Sequence, residues 1–192
     1  MLPFLAGLVE KNLVVVHDEP YGRRYRLLFT ILAYARKLAQ SNSEFEAVRI
    51  KHLRYFLDMA EDGTKHLRSS NQKQIIWRIE REHEEFAAAL HFADSRDDLV
   101  EEHLRLVGGL WRFWMLSGNF TEGIAAIKKA LARSSPPEFE SYRANVLAGI
   151  GGLLWSKGDH AGMEKYLRMA LESGQKLNDV PLLGQIMNSL GI

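Results

Sequence analysis

The chain has 192 residues, of which 46% are hydrophobic and 26% are charged, ordinary usage for a globular protein and too apolar for a disordered one. Lysine and arginine number 25 against 24 aspartates and glutamates, so the net charge of +1 creates no general field that would attract nucleic acid or anionic lipid. The absence of cysteine excludes disulfides, zinc-thiolate sites and thiol nucleophiles, and it fits a reducing cytoplasm.

Neither a membrane span nor a signal peptide is expected. The longest apolar stretch, residues 146–155, is about half of the roughly 20 residues that a spanning helix needs. The N-terminal apolar run, residues 2–9, has no basic residue before it, contains Pro3 and is followed at once by Glu10 and Lys11. The sequence therefore predicts a cytoplasmic protein.

The first 42 residues predict a helix, a β-hairpin and a second helix. Helical spacing joins Leu2, Leu5, Leu8 and Val9, and a β-branched run at residues 13–16 then predicts a strand. Turn signals at residues 18–22 precede an alternating pattern of Tyr25, Leu27 and Phe29, which is typical of a returning strand. Thr30 is a candidate N-cap for the second helix, which should end at the polar residues 41–43. Helix, hairpin and helix together are typical of the end of a winged-helix segment.

Only long amphipathic helices are predicted from residue 43 onward. One should run from about Glu44 to Glu61, end before Gly63, and turn Val48, Leu53, Phe56, Leu57 and Ala60 inward. A second should run from about Gln74 to Ala93 and bury Ile75, Ile76, Ile79, Phe86, Ala89 and Leu90.

A repeat of 40 residues organises the second half of the chain. Gly118-Asn119-Phe120 matches Gly158-Asp159-His160, and the same offset pairs Leu110 with Ile150, Trp114 with Leu154, and Ala130-Leu131 with Ala170-Leu171. It also pairs Ile150-Gly151 with Leu190-Gly191. Each unit is predicted to be a helix, a tight turn at the glycine, and a second helix that packs back on the first. Such hairpins stack, because one hairpin alone cannot bury its apolar face.

Several stretches in order resemble one family. Residues 8–14 (LVEKNLV), 24–31 (RYRLLFTI) and 34–36 (YAR) are similar to the end of the winged-helix segment of large bacterial signal-transduction ATPases of the STAND class, which include LuxR-like and AfsR-like transcriptional regulators. Residues 52–56 (HLRYF) and 78–90 (RIEREHEEFAAAL) resemble the helices that follow, and residues 110–114 (LWRFW) resemble the start of their tetratricopeptide-like array.

The resemblance implies a mostly α fold, in which a tetratricopeptide-like α-α superhelix follows a partial winged-helix segment with one β-hairpin. The partial winged-helix segment would occupy residues 1–42, and the repeat array, truncated at its C-terminus, residues 43–192. Two features depart from the family. Phe29 replaces an acidic residue, and the sequence has no Gly-x-x-x-x-Gly-Lys-Ser/Thr loop for a nucleotide. We therefore expect a middle-to-C-terminal piece of a longer regulator, with an adjacent nucleotide-binding domain as one possible partner.

The sequence favours neither a metal site nor catalysis. His83-Glu84-Glu85 begins like a zinc-protease helix, but Ala87 stands where the second histidine belongs, and Glu80 with His83 makes only one pair of di-iron spacing. The glycines at 149, 151 and 152 lie within a predicted helix, where close helix packing explains them better than phosphate binding. No serine lies on a Gly-x-Ser-x-Gly elbow. We expect no cofactor, no metal and no enzymatic activity.

Two binding surfaces remain as candidates. Arg23, Arg24 and Arg26 lie on or beside the hairpin, where they could contact DNA phosphates, or could simply be solvated or face another domain. In tetratricopeptide-like stacks the first helix of each hairpin lines the concave groove, and the 40-residue offset places there Arg105, Arg112, Asn145, Trp155, Gln185 and Asn188. Such a groove could hold an acidic peptide or anionic ligand through arginine forks and an aromatic platform. The alternative is that Trp155 is core and the arginines are solvated, whereas Trp111, Phe113 and Trp114 are expected in the core.

The sequence thus predicts a non-catalytic helical-repeat module of a signal-responsive transcriptional regulator, which binds a protein or peptide. The alternative function is a DNA-binding winged-helix protein with a helical appendage.

Overall fold

The computed structural model describes residues 2–19, 22–40, 44–67, 70–133 and 136–190, apart from the side chains of residues 2, 40, 185 and 188–190. The described chain is mostly helical with one two-stranded antiparallel sheet, which confirms the predicted mostly α fold with a β-hairpin. It divides into two compact units, unit 1 (Met1–Val48) and unit 2 (Arg49–Ile192). The predicted boundary between residues 42 and 43 lies outside the described residues and stays a prediction.

Unit 1 has the predicted order of helix, hairpin and helix. Its elements are α1 (Leu2–Glu10), β1 (Val14–Glu19), β2 (Gly22–Leu27) and α2 (Phe29–Gln40). Asn12 follows α1 with a left-handed φ of 54°, a conformation that asparagine tolerates better than most residues, and the chain then enters β1. The expected turn residues Pro20 and Tyr21, and the polar break at 41–43, lie outside the described residues.

Two expectations for unit 1 are wrong. Phe29 is not a strand residue, because β2 ends at Leu27 and Phe29 begins α2 with 85% of its surface exposed. Thr30 does not precede the helix as its cap. The Leu28 carbonyl already accepts the amide hydrogen of Leu32 at 2.8 Å, so helical hydrogen bonding begins before Thr30.

Unit 2 contains helices alone among its described residues, apart from two short 3-10 turns. The helices are α3 (Phe45–His66, which begins in the last residues of unit 1), α4 (Gln72–Arg81), α5 (His83–Asp94), α6 (Val100–Ser117), α7 (Phe120–Ala132), α8 (Glu140–Ser156), α9 (His160–Leu177) and α10 (Val180–Leu190). The 3-10 turns Asp97–Leu99 and Pro137–Phe139 lead into α6 and α8.

The first two predicted helices of this unit differ from the structure. The first helix does not end before Gly63 but continues to His66. Gly63 packs against α4 instead, where a Cβ at this position would lie 3.4 Å from the side chains of Ile75 and Ile79. The second is two helices, broken at Glu82, which has a φ of −96° and a ψ of 17°. Val48, predicted to point inward, is 57% exposed, whereas Leu53, Phe56, Leu57 and Ala60 are buried as expected. Of the residues predicted to be buried on the second helix, Ile79, Phe86 and Ala89 are buried, and Ile75, Ile76 and Leu90 are half-buried.

The 40-residue repeat appears as two helical hairpins, α6 with α7 and α8 with α9. Gly118 and Gly158 occupy the equivalent turns, and both adopt a left-handed φ of 78°, a conformation that costs glycine little. The paired positions Leu110 and Ile150, Trp114 and Leu154, and Ala130 and Ala170 are all buried. Gly191, which the 40-residue offset pairs with Gly151, lies outside the described residues. The tetratricopeptide-like packing of the hairpins stays a prediction.

Helix α6 lies at the centre of the core of unit 2. Trp111, Phe113 and Trp114 are 5%, 2% and 1% exposed, which confirms them as core residues. The glycines of α8 serve close packing as predicted. A Cβ on Gly149 would lie 2.7 Å from Trp111 Cγ, and one on Gly151 would lie 2.7 Å from the Leu167 side chain. Within the described residues no helix is both long and apolar enough to cross a membrane.

Candidate functional site

Three helices of unit 2 surround a cavity of about 310 Å³. Its lining consists of Glu61, Thr64 and Lys65 from α3, Leu104, Arg105, Gly108 and Gly109 from α6, and Tyr142 and Asn145 from α8. We call this space the α3/α6/α8 cavity. Its volume is at the lower end of the range of pockets that hold small ligands.

Two adjacent glycines of α6 let the neighbouring helices approach. A Cβ on Gly109 would lie 2.9 Å from the Cβ of Ala60 and 3.1 Å from its carbonyl carbon, so α3 can lie this close only against a glycine. The Thr64 hydroxyl donates to the Gly109 carbonyl at 2.7 Å and so joins the same two helices. On the other side, a Cβ on Gly108 would lie 2.9 Å from Nδ2 of Asn145 on α8. The backbone of α6 therefore forms part of the cavity wall.

Arg105, the central residue of the predicted groove, is engaged by two carboxylates. Its Nε and Nη2 donate to the two carboxylate oxygens of Glu61 at 2.7 and 3.0 Å, and Nη1 donates to Glu101 at 3.2 Å. The hydrogen bond to Glu61, followed by the smaller effects of its charge and of Glu101, raises the pKa of Arg105 above its ordinary value. The guanidinium also lies 5.6 Å from the ring of Tyr142. This network ties α3 to α6 and satisfies the arginine within the protein.

Other polar side chains of the cavity make fewer hydrogen bonds and ion pairs with described residues than Arg105 does. Lys65 is exposed and has no hydrogen bond or ion pair with any residue that the structure describes, and the hydroxyl of the half-buried Tyr142 likewise has no hydrogen-bond partner there. Asn145 Nδ2 is 3.5 Å from the Gly108 carbonyl, at the outer limit of a hydrogen bond. The cavity thus presents an ammonium group, a phenol and a carboxamide to whatever enters it.

The structure separates the six predicted groove residues. Arg105 and Asn145 line the α3/α6/α8 cavity, but Arg112 and Trp155 do not. Arg112 stacks over the ring of Trp111 at 4.4 Å, and Trp155 is 62% exposed, so it is not a core residue. Gln185 and Asn188 lie on α10, and their side chains are outside the described residues.

Sequence reasoning missed the contribution of α3. Glu61, Thr64 and Lys65 precede the recognisable repeat, so the 40-residue offset could not assign them to a groove. Tyr142 lies inside the repeat, but the predicted groove did not include it. The paired glycines at 108 and 109 were the one available signal, because small residues within an amphipathic helix often mark a close helix contact.

A second cavity, of about 640 Å³, lies beside the start of α6. Four acidic residues line it together with apolar ones, but each carboxylate already has a basic partner. Asp97 pairs with Arg133 at 3.2 Å, Asp98 with Arg96 at 2.9 Å, Glu101 with Arg105 at 3.2 Å, and Glu102 with Arg54 at 3.9 Å. Each of these carboxylates therefore contacts a basic side chain, although Glu101 shares Arg105 with Glu61.

The hairpin of unit 1 places its three arginines on two faces. In the register, Arg23 lies opposite Asp18, Arg24 opposite His17, and Arg26 opposite Val15. Arg23 Nε donates to Asp18 Oδ1 at 3.0 Å on the face that includes the buried Val14. Arg24 and Arg26 share the other face, whose Val15 is 39% exposed. The predicted phosphate-contact set is therefore divided between the two faces of the hairpin, with Arg23 on one face and Arg24 and Arg26 on the other.

His83, which was considered as a metal ligand from the sequence, and His52 each pair with a carboxylate on another helix. His83 Nε2 lies 3.0 Å from both carboxylate oxygens of Glu122 on α7, and His52 Nε2 lies 2.8 Å from Glu85 on α5. Within the described ranges, no group of three or more histidine, aspartate and glutamate side chains could hold a metal ion.

Comparison with known proteins finds relatives among transcriptional regulators. The chain is 31% identical to HTH-type transcriptional regulators of Mycobacterium bovis and of two strains of Mycobacterium tuberculosis, over 126 residues in each case. The aligned part is 65% of this chain, and it spans 14% of the length of each regulator. No family model matches the chain. No solved structure matches it.

Proposed function

We propose that this chain is part of a cytoplasmic transcriptional regulator, in which unit 2 is a non-catalytic module that binds a peptide segment of a partner protein in the α3/α6/α8 cavity. That segment would belong either to a separate protein or to an adjacent nucleotide-binding domain of a longer parent protein. The similarity to HTH-type transcriptional regulators supports the regulatory role.

The observation behind the binding role is the unsatisfied polar lining of the cavity. Tyr142 and Asn145 offer hydrogen-bond donors and acceptors beside Lys65, and the protein itself leaves these groups largely unpaired. A peptide backbone supplies complementary N–H and C=O groups at regular intervals. Binding of an extended segment would therefore satisfy groups that are otherwise left to water.

The test is selection of peptides from a random display library on the immobilised chain, followed by fluorescence polarisation with the selected peptides. We expect the double variant Tyr142→Ala with Asn145→Ala to weaken binding by about tenfold or more, since each lost hydrogen bond contributes about 1 kcal/mol. Trp155→Ala is the matched control, an exposed aromatic residue outside the cavity. Failure to select any peptide, or equal affinity of the double variant, would reject this function.

A second candidate function is DNA contact by unit 1. The observation in its favour is the common face of Arg24 and Arg26 on the hairpin, in a chain similar to proteins named HTH-type regulators. Arginines on a hairpin can contact phosphates without reading the base sequence. Titration of a labelled DNA duplex with the chain at increasing salt concentrations tests this candidate.

A further inference from the structure

We propose that the peptide bound in the α3/α6/α8 cavity presents a carboxylate, and that Lys65 is the residue that recognises it. The proposal rests on the function proposed above and adds the chemistry of the ligand. It also reassigns the recognition of an anion from Arg105, which the sequence favoured, to a lysine that the sequence did not single out.

Arg105 is unsuited to bind an external anion. Glu61 occupies both sides of its guanidinium fork, at 2.7 and 3.0 Å, and Glu101 takes a third N–H group. An incoming carboxylate would have to displace an internal one that is already held in bidentate geometry, which is the strongest arrangement for this pair. The positive charge of Arg105 is therefore neutralised before any ligand arrives.

Lys65 is one helical turn from Glu61 on α3, and it lines the same cavity without a charged partner among the described residues. Its ammonium can donate three hydrogen bonds and accepts none. Among the described residues that line the cavity, the charges of Glu61 and Arg105 offset each other, and Lys65 carries the remaining positive charge. This positive charge favours a negatively charged ligand.

The neighbouring groups suit a carboxylate on a peptide. The Tyr142 hydroxyl and the Asn145 amide nitrogen are further donors, and the Asn145 amide oxygen can accept a backbone N–H. A phosphate group, with up to two negative charges, is usually bound by arginine forks or by several backbone N–H groups. Among the lining residues that the structure describes, Lys65 is the one cation without a charged partner, and its single charge matches that of a carboxylate.

The experiment uses acetylated hexapeptides of one core sequence, chosen from those that bind the chain. One form contains an internal glutamate and ends in an amide, a second replaces this glutamate with glutamine, a third is the glutamine form with a free terminal carboxylate, and a fourth contains phosphoserine instead. Each is titrated against the wild-type chain and the variants Lys65→Ala, Lys65→Arg and Lys128→Ala. Lys128 is an exposed lysine on α7 and is the control for general loss of positive charge.

We expect the glutamate or the free-carboxylate form to bind about tenfold more tightly than the neutral form, since a hydrogen bond between charged groups is stronger than one between neutral groups. Lys65→Ala should abolish this preference, whereas Lys65→Arg and Lys128→Ala should keep it. Comparison of the two carboxylate forms shows whether a side chain or a chain terminus supplies the group.

Three results would overturn the proposal: equal affinity for the neutral and carboxylate forms, tighter binding of the phosphoserine form, or a carboxylate preference that survives in Lys65→Ala. In each of these cases, binding that still depends on Tyr142 and Asn145 would leave the peptide-binding function standing. If no peptide binding of the wild-type chain depended on Tyr142 and Asn145, both proposals would be rejected.

Discussion

His103 of α6 is an ionisable residue in an apolar environment. It is 2% exposed, and its Nδ1 has no hydrogen-bond partner within the described part of the chain; a carboxylate oxygen of Asp94 lies 3.9 Å away. Burial lowers the pKa of His103 from 6.5 to about 4, against the opposing charge of Asp94 and with smaller contributions from Arg133 and Lys129. The folded protein therefore holds this imidazole neutral at pH 7.

The first prediction is that the stability of the chain falls with acidification because of His103. In the unfolded chain His103 binds a proton as the pH falls through 6.5, but in the folded chain it stays neutral down to about pH 4. The free energy of unfolding should therefore decrease between pH 6.5 and pH 4, by up to about 3 kcal/mol from this residue. Urea unfolding followed by circular dichroism at several pH values measures the change.

The control for this prediction is His103→Gln, which removes the titrating group. The variant should lose much of the pH dependence between pH 6.5 and pH 4, while the stability difference between wild type and variant should stay constant from pH 7 to pH 8. An unchanged pH dependence in the variant would contradict the assignment to His103.

At the scale of elements, the cavity depends on how closely α3, α6 and α8 approach one another. Gly109 of α6 lies against Ala60 of α3 and allows the two helices to approach closely. The hydroxyl of Thr64 on α3 donates a hydrogen bond to the backbone carbonyl of Gly109 at the same place. Since a Cβ at position 109 would lie 3.1 Å from a backbone carbon of Ala60, a flexible side chain cannot relieve the contact by moving. Separation of the two helices would also disturb the Glu61–Arg105 pair.

The second prediction concerns Gly109→Ala. Overpacking of a helix contact costs about 1–3 kcal/mol, and the better helix propensity of alanine returns at most about 1 kcal/mol, so we expect a net loss of stability. Gly184→Ala in α10 is the matched control, because no atom that the structure describes lies within 4 Å of a Cβ built there, and it should be neutral or slightly stabilising. Chemical denaturation measures both, and equal stability of Gly109→Ala and wild type would show that α3 can shift without cost.

At the scale of the whole molecule, the near balance of charges restricts any contact with DNA to a local surface. With a net charge of +1, the chain has no general attraction to a polyanion, so salt-sensitive binding must arise from a cluster such as Arg24 and Arg26. Arg23 differs from them in position, since it lies with Asp18 on the other face of the hairpin.

The third prediction applies to the DNA-contact function. If unit 1 contacts duplex DNA, the logarithm of affinity should fall linearly with the logarithm of salt concentration, and Arg24→Ala with Arg26→Ala should reduce this slope by about 2. Arg23→Ala, as the control, should change the slope less. Fluorescence anisotropy of a labelled duplex measures these values, and no binding at low ionic strength would exclude this function for the chain.

The amino-acid sequence by itself determined the mostly helical fold, the hairpin and the 40-residue repeat. The spacing of apolar residues and the preference of glycine for turns are local properties, because each depends on only a few neighbouring residues. It also places Arg105 and Asn145 at equivalent positions of the repeat, and both line the α3/α6/α8 cavity, whereas their role in binding stays a prediction. Only the tertiary structure decided that Gly63 does not end a helix, that Glu82 breaks one, and that Arg105 is occupied by Glu61. The positions of Gly63 and Arg105 depend on contacts with other helices, such as the one between Glu61 and Arg105, which are 44 positions apart, and no local pattern contains these contacts.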